Sequence, residues 1–339
     1  MPKKKGEQKV HMRTALKQKQ KSDIKLKDAI DLFIDEKEAQ NLSEATIRYY
    51  RDNLKRFMTC LNVEIGMSEP ICKEFNAALI QKYGKIIKEK MKWKDHPDPV
   101  RQKDEKKSKN TYRTYLNAVR VFGNWLYRNG YIEEDILNSV KLPKRQQTMP
   151  KLLTNDEIKK IFMQFDTKTE IGLRNWLIVR LALDMGLREK SIATLKLASI
   201  DFERGTILVW LKGDKYNMYP IDKVLKEKLR KYLLLYRNKK ETASKNLFLN
   251  QDGSEITTNT IRQMFKRLKQ KTGIKELGCH MLRHNFATNY VLMGHNSEEL
   301  KYMLGHTTSK MSEHYVHLAN NVRLMNAGHD SYLNKINVK

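Results

Sequence analysis

Apolar residues recur at helical spacing through the first part of the chain. Leu26, Ile30, Phe33 and Ile34 form one set. Ile47, Tyr50, Leu54, Phe57 and Leu61 form a second behind a capping Ser43, and Phe75, Leu79, Tyr83 and Ile86 a third. Tyr112, Tyr115, Leu116, Val119, Phe122 and Leu126 make a fourth. Positions three and four apart share one helix face, so each set predicts an amphipathic helix. Four such faces bury one another, which predicts a small bundle over residues 23–140. Residues 92–109, with Pro97 and Pro99, have no apolar period and predict a long loop between the third and fourth helices.

A break in pattern follows. Residues 141–151 carry Pro143 and Pro150 around Lys144, Arg145 and two glutamines, the composition of an interdomain linker. Immediately beyond it Thr154 and Glu157 have the spacing of a capping box, and Leu153 and Ile158 that of a hydrophobic staple. A helix is therefore predicted to start sharply at 154 and to open a second domain, 152–317. Helical spacing continues to Met185. Residues 207–211 and 218–221 then read as short β-strands joined through Gly213-Asp214, a hairpin signal. Further helices are predicted over 223–237, 258–271, 281–293 and 297–304, followed by a polar segment and a short C-terminal helix in a tail, 318–339. The expected fold class is mainly α with a small antiparallel sheet: a helical bundle followed by a mixed α+β domain. There is no internal repeat.

Charge changes the picture from architecture to partner. The 339 residues include 66 Lys and Arg against 39 Asp and Glu, a formal net charge of +27, so the chain's field attracts polyanions. Residues 1–22 hold eight of these cations against a single Glu7 and have almost nothing apolar to bury. They read as a disordered arm, either a solvated tail or a segment that folds on phosphates. Charge alone also fits a membrane-surface or ribosome-associated protein. Cys60, Cys72 and Cys279 are odd in number and lack Cys-x-x-Cys spacing, which argues against a disulfide framework or a zinc site. No apolar run reaches the roughly 18 residues of a membrane span, and the basic N-terminus lacks the apolar stretch of a signal peptide. The expected location is the cytoplasm.

Breaking a phosphodiester without a metal requires a nucleophile, cations for the oxygens of the pentavalent transition state, and an acid for the leaving oxygen. No Walker A loop and no His-Glu-x-x-His pair is present. What the chain contains, in order, is Gly186-Leu187-Arg188, Leu211-Lys212-Gly213, His280-Met281-Leu282-Arg283-His284, Leu304-Gly305-His306 and Tyr315. Singly these are weak signals: a lone His-x-x-Arg is more often an exposed pair, and a lone tyrosine more often packing. Five elements in this order on a basic two-domain chain argue against coincidence. The order Arg, Lys, His-x-x-Arg, His, Tyr, with nine residues from His306 to Tyr315, resembles the tyrosine recombinases of the phage integrase and Xer type. The phrases Leu-Arg-His-Asn-Phe-Ala-Thr at 282–288 and Leu-Gly-His at 304–306 are similar to that family's wording.

The resemblance covers about 154–317 by motif and the N-terminal bundle only by position. It implies a core-binding bundle, a catalytic domain and a site-specific recombinase working through a 3′-phosphotyrosyl intermediate in the integration, excision or transposition of a mobile element. Arg188 and Arg283 would hold the non-bridging oxygens of the scissile phosphate, Lys212 would protonate the leaving 5′ oxygen, His280 would accept or orient the tyrosine proton, His306 would donate to a phosphate oxygen, and Tyr315 would attack phosphorus. Lys215 is a nearby competitor for Lys212, and His284, His314 and His317 read as supporting or structural. No ATP, metal or other cofactor is implied. Two positions depart from the family pattern: Ser191 stands where many members carry a glutamate, with Glu189 the nearest carboxylate, and Met281 replaces a frequent aspartate. Both bear on the support of the site and leave the nucleophile alone. The implied partners are double-stranded DNA with specific sites and three further copies in a cyclic tetramer on two duplexes, with the tail docked on a neighbour. A type IB topoisomerase and a non-cleaving DNA-binding protein are the alternatives.

Overall fold

The computed structural model describes residues 21–89, 91–92, 105–106, 108–144, 151–211, 215–306 and 308–327. The basic arm apart from its last two residues, most of the 92–109 loop, most of the linker, Lys212 with Gly213 and Asp214, and the tail beyond 327 lie outside the described residues. The chain divides into two compact units, Met1–Gln147 and Thr148–Lys339.

In the first unit α1 (Leu26–Ala39), α2 (Glu44–Cys60), α3 (Ala77–Glu89) and α4 (Lys109–Arg128) bury most of the faces predicted from their spacing. Of the third set, Phe75 lies in extended backbone before α3, and Ile87 is buried where Ile86 was expected, Ile86 being only half-buried. Ser43 caps α2 by accepting from the Thr46 amide. The core is aromatic: Phe33, Phe57, Phe75 and Phe122 are at most 1 % exposed and meet edge to face, a geometry worth ~0.5–1.5 kcal/mol per pair beyond area burial. Trp125 satisfies its indole by donating to Glu36 Oε2 at 2.6 Å. A short helix α5 (Ile136–Ser139) is capped by Asp135. The stretch expected to be loop throughout holds a small antiparallel pair, β1 (Met91–Lys92) with β2 (Glu105–Lys106), too short to leave a period-two pattern in the sequence.

The second unit opens as its caps predict. Thr154 Oγ1 accepts from the Glu157 amide at 3.2 Å and Glu157 Oε2 accepts from the Thr154 amide at 3.0 Å, starting α6 (Asn155–Phe162). The next helix, α7 (Glu170–Met185), is the unit's central rod. Leu173, Leu177, Ile178, Leu181, Ala182 and Met185 on it are buried, and α9 (Lys223–Leu235) and α11 (Cys279–Leu292) pack against it. Along the chain between α7 and α9 come α8 (Glu189–Ala193) and a three-stranded sheet, β3 (Ile200–Asp201), β4 (Thr206–Trp210) and β5 (Tyr216–Pro220), in that order and antiparallel. Ile207, Val209, Asn217 and Tyr219 face inward. The two-residue β3 is an element the sequence pattern did not show. Beyond α10 (Thr258–Thr272) and α12 (Ser297–Leu304) comes α13 (Ser309–Ala327). Where a polar segment and a short helix were expected, α13 is one continuous helix passing through Tyr315 and onward past 317. Its buried positions Ser312, Tyr315, Leu318 and Ala319 recur at helical spacing, but the polar Ser312 masks the stripe.

Candidate functional site

Four chain segments of the second unit bring the candidate residues together. The first is the end of α7. Gly186 terminates that helix at φ 60°, in the left-handed region, where an added Cβ would lie 2.6 Å from Phe286 and 2.8 Å from Leu304. Glycine is the residue that satisfies both demands. The turn swings the chain so that Arg188 stands at the start of α8, half-buried, donating to the Leu304 carbonyl at 3.4 Å.

The second segment is the beginning of α11, a helix buried on most of its surface. Arg283, only 6 % exposed, donates through Nη1 to the Gly186 carbonyl at 2.6 Å and through Nη2 to the Leu304 carbonyl at 2.8 Å. It thereby ties two helix C-termini, where carbonyls lack intrahelical partners, to a fixed cation. Burial, then the neighbouring positive charge of Arg188, lowers its pKa to about 10, so it stays charged at neutral pH.

The third segment is the turn after α12, where Gly305 at φ 59° sits tight against Leu211 and delivers His306 to the site. Asn217 Nδ2 holds this turn by donating to the Tyr302 and Met303 carbonyls at 2.6 and 3.1 Å, and the Tyr219 hydroxyl donates to Met303 as well. His306 is 7 % exposed, with Nε2 3.1 Å from Arg283 Nη2 and Nδ1 2.9 Å from Ser312 Oγ. A guanidinium only donates, so Nε2 must be the acceptor, and the ring carries its proton on Nδ1 and gives it to Ser312. Burial and the two arginines lower the His306 pKa to about 4, which keeps the ring neutral.

The fourth segment is α13. Tyr315 is 5 % exposed and its hydroxyl meets His284 Nδ1 at 2.9 Å. Burial raises its pKa while Arg283 and Arg188 pull the other way, which places the hydroxyl within their field. The His306 ring lies parallel to the Tyr315 ring, 6.2 Å away.

The structure thus brings Arg188, Arg283, His306 and Tyr315 into one site. It does not bring His280 to the Tyr315 hydroxyl. His280 is exposed in the first turn of α11, and the imidazole on the tyrosine belongs to His284 one turn further along. Lys212 lies outside the described residues. Its flanks Leu211 and Lys215, joined by a 2.7 Å backbone hydrogen bond, line with His306 a cavity of about 500 Å³. Ser312 was missed, although it stands three residues before Tyr315 and so on the same helix face. At the departing positions, Glu189 pairs with Arg262 at 2.8 Å, Ser191 reaches the Trp210 carbonyl at 3.5 Å, and Met281 is a core residue. Among the described residues no cluster of three or more His, Cys, Asp and Glu could hold a metal, and no helix is long and apolar enough to cross a membrane. The three cysteines are buried, and burial raises the Cys279 thiol to about 12.

With this geometry in place, comparison with known proteins gives consistent findings. Residues 151–321 match the phage integrase family. The tyrosine recombinase XerC of Bacillus pumilus is 28 % identical over 299 residues, 86 % of this chain and 92 % of the relative. Two solved structures have the same fold. One is the XerH site-specific recombinase in a post-cleavage complex with its difH substrate, with a TM-score of 0.63, 21 % identity, and coverage of 86 % of this chain and 81 % of that one. The other is the Tn1549 transposon integrase with circular-intermediate DNA, with a TM-score of 0.64, 16 % identity, and coverage of 88 % and 99 %. The chain belongs to the phage integrase family of tyrosine recombinases. It is a site-specific DNA recombinase, an enzyme that cuts and rejoins DNA strands.

Proposed function

We propose that Tyr315 is the nucleophile of strand cleavage and that a 3′-phosphotyrosyl bond holds the cut end. The observation that carries this is the buried cluster in which the Tyr315 hydroxyl stands within the field of Arg188 and Arg283 while Arg283 contacts His306. A phosphate brought to this cluster meets two planar cations able to neutralise its non-bridging oxygens, with His306 as a third donor. Lys212, between the ends of β4 and β5, protonates the departing 5′ oxygen, and His280, exposed on the first turn of α11, is free to contact the DNA phosphate. The stored phosphotyrosyl bond lets a second 5′ hydroxyl attack and rejoin the strand without an external energy source.

The first unit, over 23–140, serves as the DNA-gripping bundle and the second as the catalytic domain, with the basic arm and the linker adding phosphate contacts. The active assembly is a cyclic tetramer on two duplexes, in which the part of the 318–339 tail beyond α13 reaches a neighbour, and the exchange integrates, excises or transposes mobile DNA. The net charge of +27 supports the DNA contacts, and the Tn1549 neighbour is an integrase of that biological kind, with likeness in fold. The test is incubation with nicked suicide substrates carrying candidate element ends. The full chain should form a covalent adduct whose peptide maps to Tyr315, and Tyr315→Phe should bind the same DNA and form none. An adduct in that variant would overturn the assignment, and relaxation of one duplex without exchange between two labelled sites would favour a topoisomerase.

A further inference from the structure

The residue that contacts the attacking hydroxyl is not among those the motif order singles out. His284 and Tyr315 stand on two packed helices, α11 and α13, with Nδ1 and Oη 2.9 Å apart. We infer that His284 is a catalytic residue of the cleavage reaction, the acceptor of the Tyr315 proton. This rests on Tyr315 being the nucleophile.

Geometry comes first. An acceptor must lie within about 2.6–3.2 Å of the proton it takes, and among the described residues His284 meets that distance. The contact joins two regular helices, so the pair is held without depending on a loop. Tyr315, its pKa raised by burial, keeps its proton at neutral pH and has to lose it during attack.

The environment then selects the protonation state. The groups acting on His284 are His280 and Arg283 from its own helix, His314 and Tyr315 from α13, and His306 from the turn after α12. On α7, Arg174 is engaged with the Leu249 carbonyl and Arg180 with Asp184 and Asp222. Burial, then the neighbouring imidazoles and Arg283, lowers the His284 pKa, so the ring is neutral, and in its Nε2-protonated tautomer, the one that proton acceptance at Nδ1 requires, Nδ1 has a lone pair for the hydroxyl. A neutral imidazole in a field of cations is a weak base, so transfer accompanies attack. An arriving phosphate brings negative charge beside the arginines, which offsets the field that depresses the ring.

The step balances. The Tyr315 O–H bond breaks and its proton goes to His284 Nδ1. The tyrosine oxygen forms the bond to phosphorus, and the bond from phosphorus to the 5′ oxygen breaks as that oxygen takes a proton from Lys212. On religation the 5′ hydroxyl attacks phosphorus and gives its proton back to the Lys212 amine, the bond from phosphorus to the tyrosine oxygen breaks, and His284 returns its proton to that oxygen.

The experiment uses the full chain and two suicide substrates, one ordinary and one with sulfur at the 5′ bridging position, whose departure needs no acid and so isolates the nucleophile's proton. Wild-type cleavage of the sulfur substrate should show an acid limb, falling as pH drops through and below the ordinary histidine range near 6.5. His284→Asn places a polar atom near Nδ1 but cannot take a proton. It should bind DNA as wild type does, cleave ~10²-fold or more slowly, in the range of a lost general base, and lose the acid limb. Wild-type rate and profile in the variant would overturn the inference, and faster cleavage would do so as well by showing that His284 restrains the tyrosine. Should the variant fail to bind DNA, the wild-type sulfur-substrate profile decides alone, and a flat profile overturns it. Mapping the wild-type adduct to Tyr315 separates failure of this inference from failure of the nucleophile assignment.

Discussion

Acidification should expose how much the protein spends to keep His306 uncharged. The unfolded-state value for a histidine is near 6.5, and in the folded chain burial, Arg283 and Arg188 bring His306 to about 4. The unfolded chain therefore binds a proton from about pH 6.5 downward that the folded chain refuses until about pH 4. Stability from this group is fully present above 6.5 and is lost as pH falls through that window. A gap of about 2.5 pKa units at ~1.36 kcal/mol each sets the loss at ~3 kcal/mol, a large share of an ordinary domain's stability. The direct assay is ring nitrogen NMR of the DNA-free protein, with His306 assigned by its disappearance in His306→Asn. At pH 5.5 a group titrating near 4 is about 97 % neutral, whereas an unperturbed histidine is about 9 % neutral. The neutral ring should also show its proton on Nδ1. Titration of His306 near 6.5, or a protonated Nε2 in the neutral DNA-free protein, would refute the reasoning from burial and from the guanidinium as an obligatory donor.

Three further outcomes follow from the same geometry. Arg188→Ala should melt close to wild type, because Arg188 makes one long hydrogen bond, yet cleave ~10²–10³-fold more slowly, the usual cost of one lost transition-state donor. Arg283→Ala should lose cleavage and also melt earlier, since it leaves the Gly186 and Leu304 carbonyls without that donor at ~1–3 kcal/mol each, and equal melting of the two variants would contradict the assigned geometry. Gly186→Ala combines a left-handed backbone, ~1–2 kcal/mol, with the Phe286 and Leu304 clashes, ~1–3 kcal/mol, so its melting temperature should drop by several degrees and an unchanged melt would mean the turn relaxes freely.

What was legible in the sequence was what repeats or punctuates locally. The bundle helices carry a 3.6-residue period that the packing largely uses, with Ile87 in place of Ile86 on α3, and the Thr154 capping box forms because both partners lie within one turn. Ser297–Leu304 is a helix over the predicted residues because Asn296 caps it and Gly305 ends it. Short strands such as β1, β2 and β3 offer two residues each, too few for a period. α13 was obscured because its inward face is partly polar: Ser312 is fully buried against His306, so a polar contact reads as a gap in the stripe. The exchange of His280 for His284 at the tyrosine has a similar origin. Four residues apart, the two lie near one helix face, and only the docking of α13 decides which one Tyr315 meets.

The Ser312 contact also bears on how a neutral His306 could serve a phosphate. In the DNA-free protein Nε2 accepts from Arg283, and both Nη2 hydrogens of that guanidinium are committed, one to Leu304 and one to His306. A phosphate oxygen needs donors, so Nε2 must acquire a proton before His306 can help. A carboxylate at position 312 could only accept and would hold the proton on Nδ1. A serine hydroxyl both donates and accepts, so it can turn and donate to Nδ1 once the ring proton moves to Nε2. The same arrival frees the Arg283 hydrogen now spent on His306 for the phosphate itself. On the proposed role of His306, one tautomer change would thus release two donors with no added charge, in a buried site where a positive charge on His306 would be costly. The buried serine, which breaks the apolar stripe of α13, is what makes that change possible.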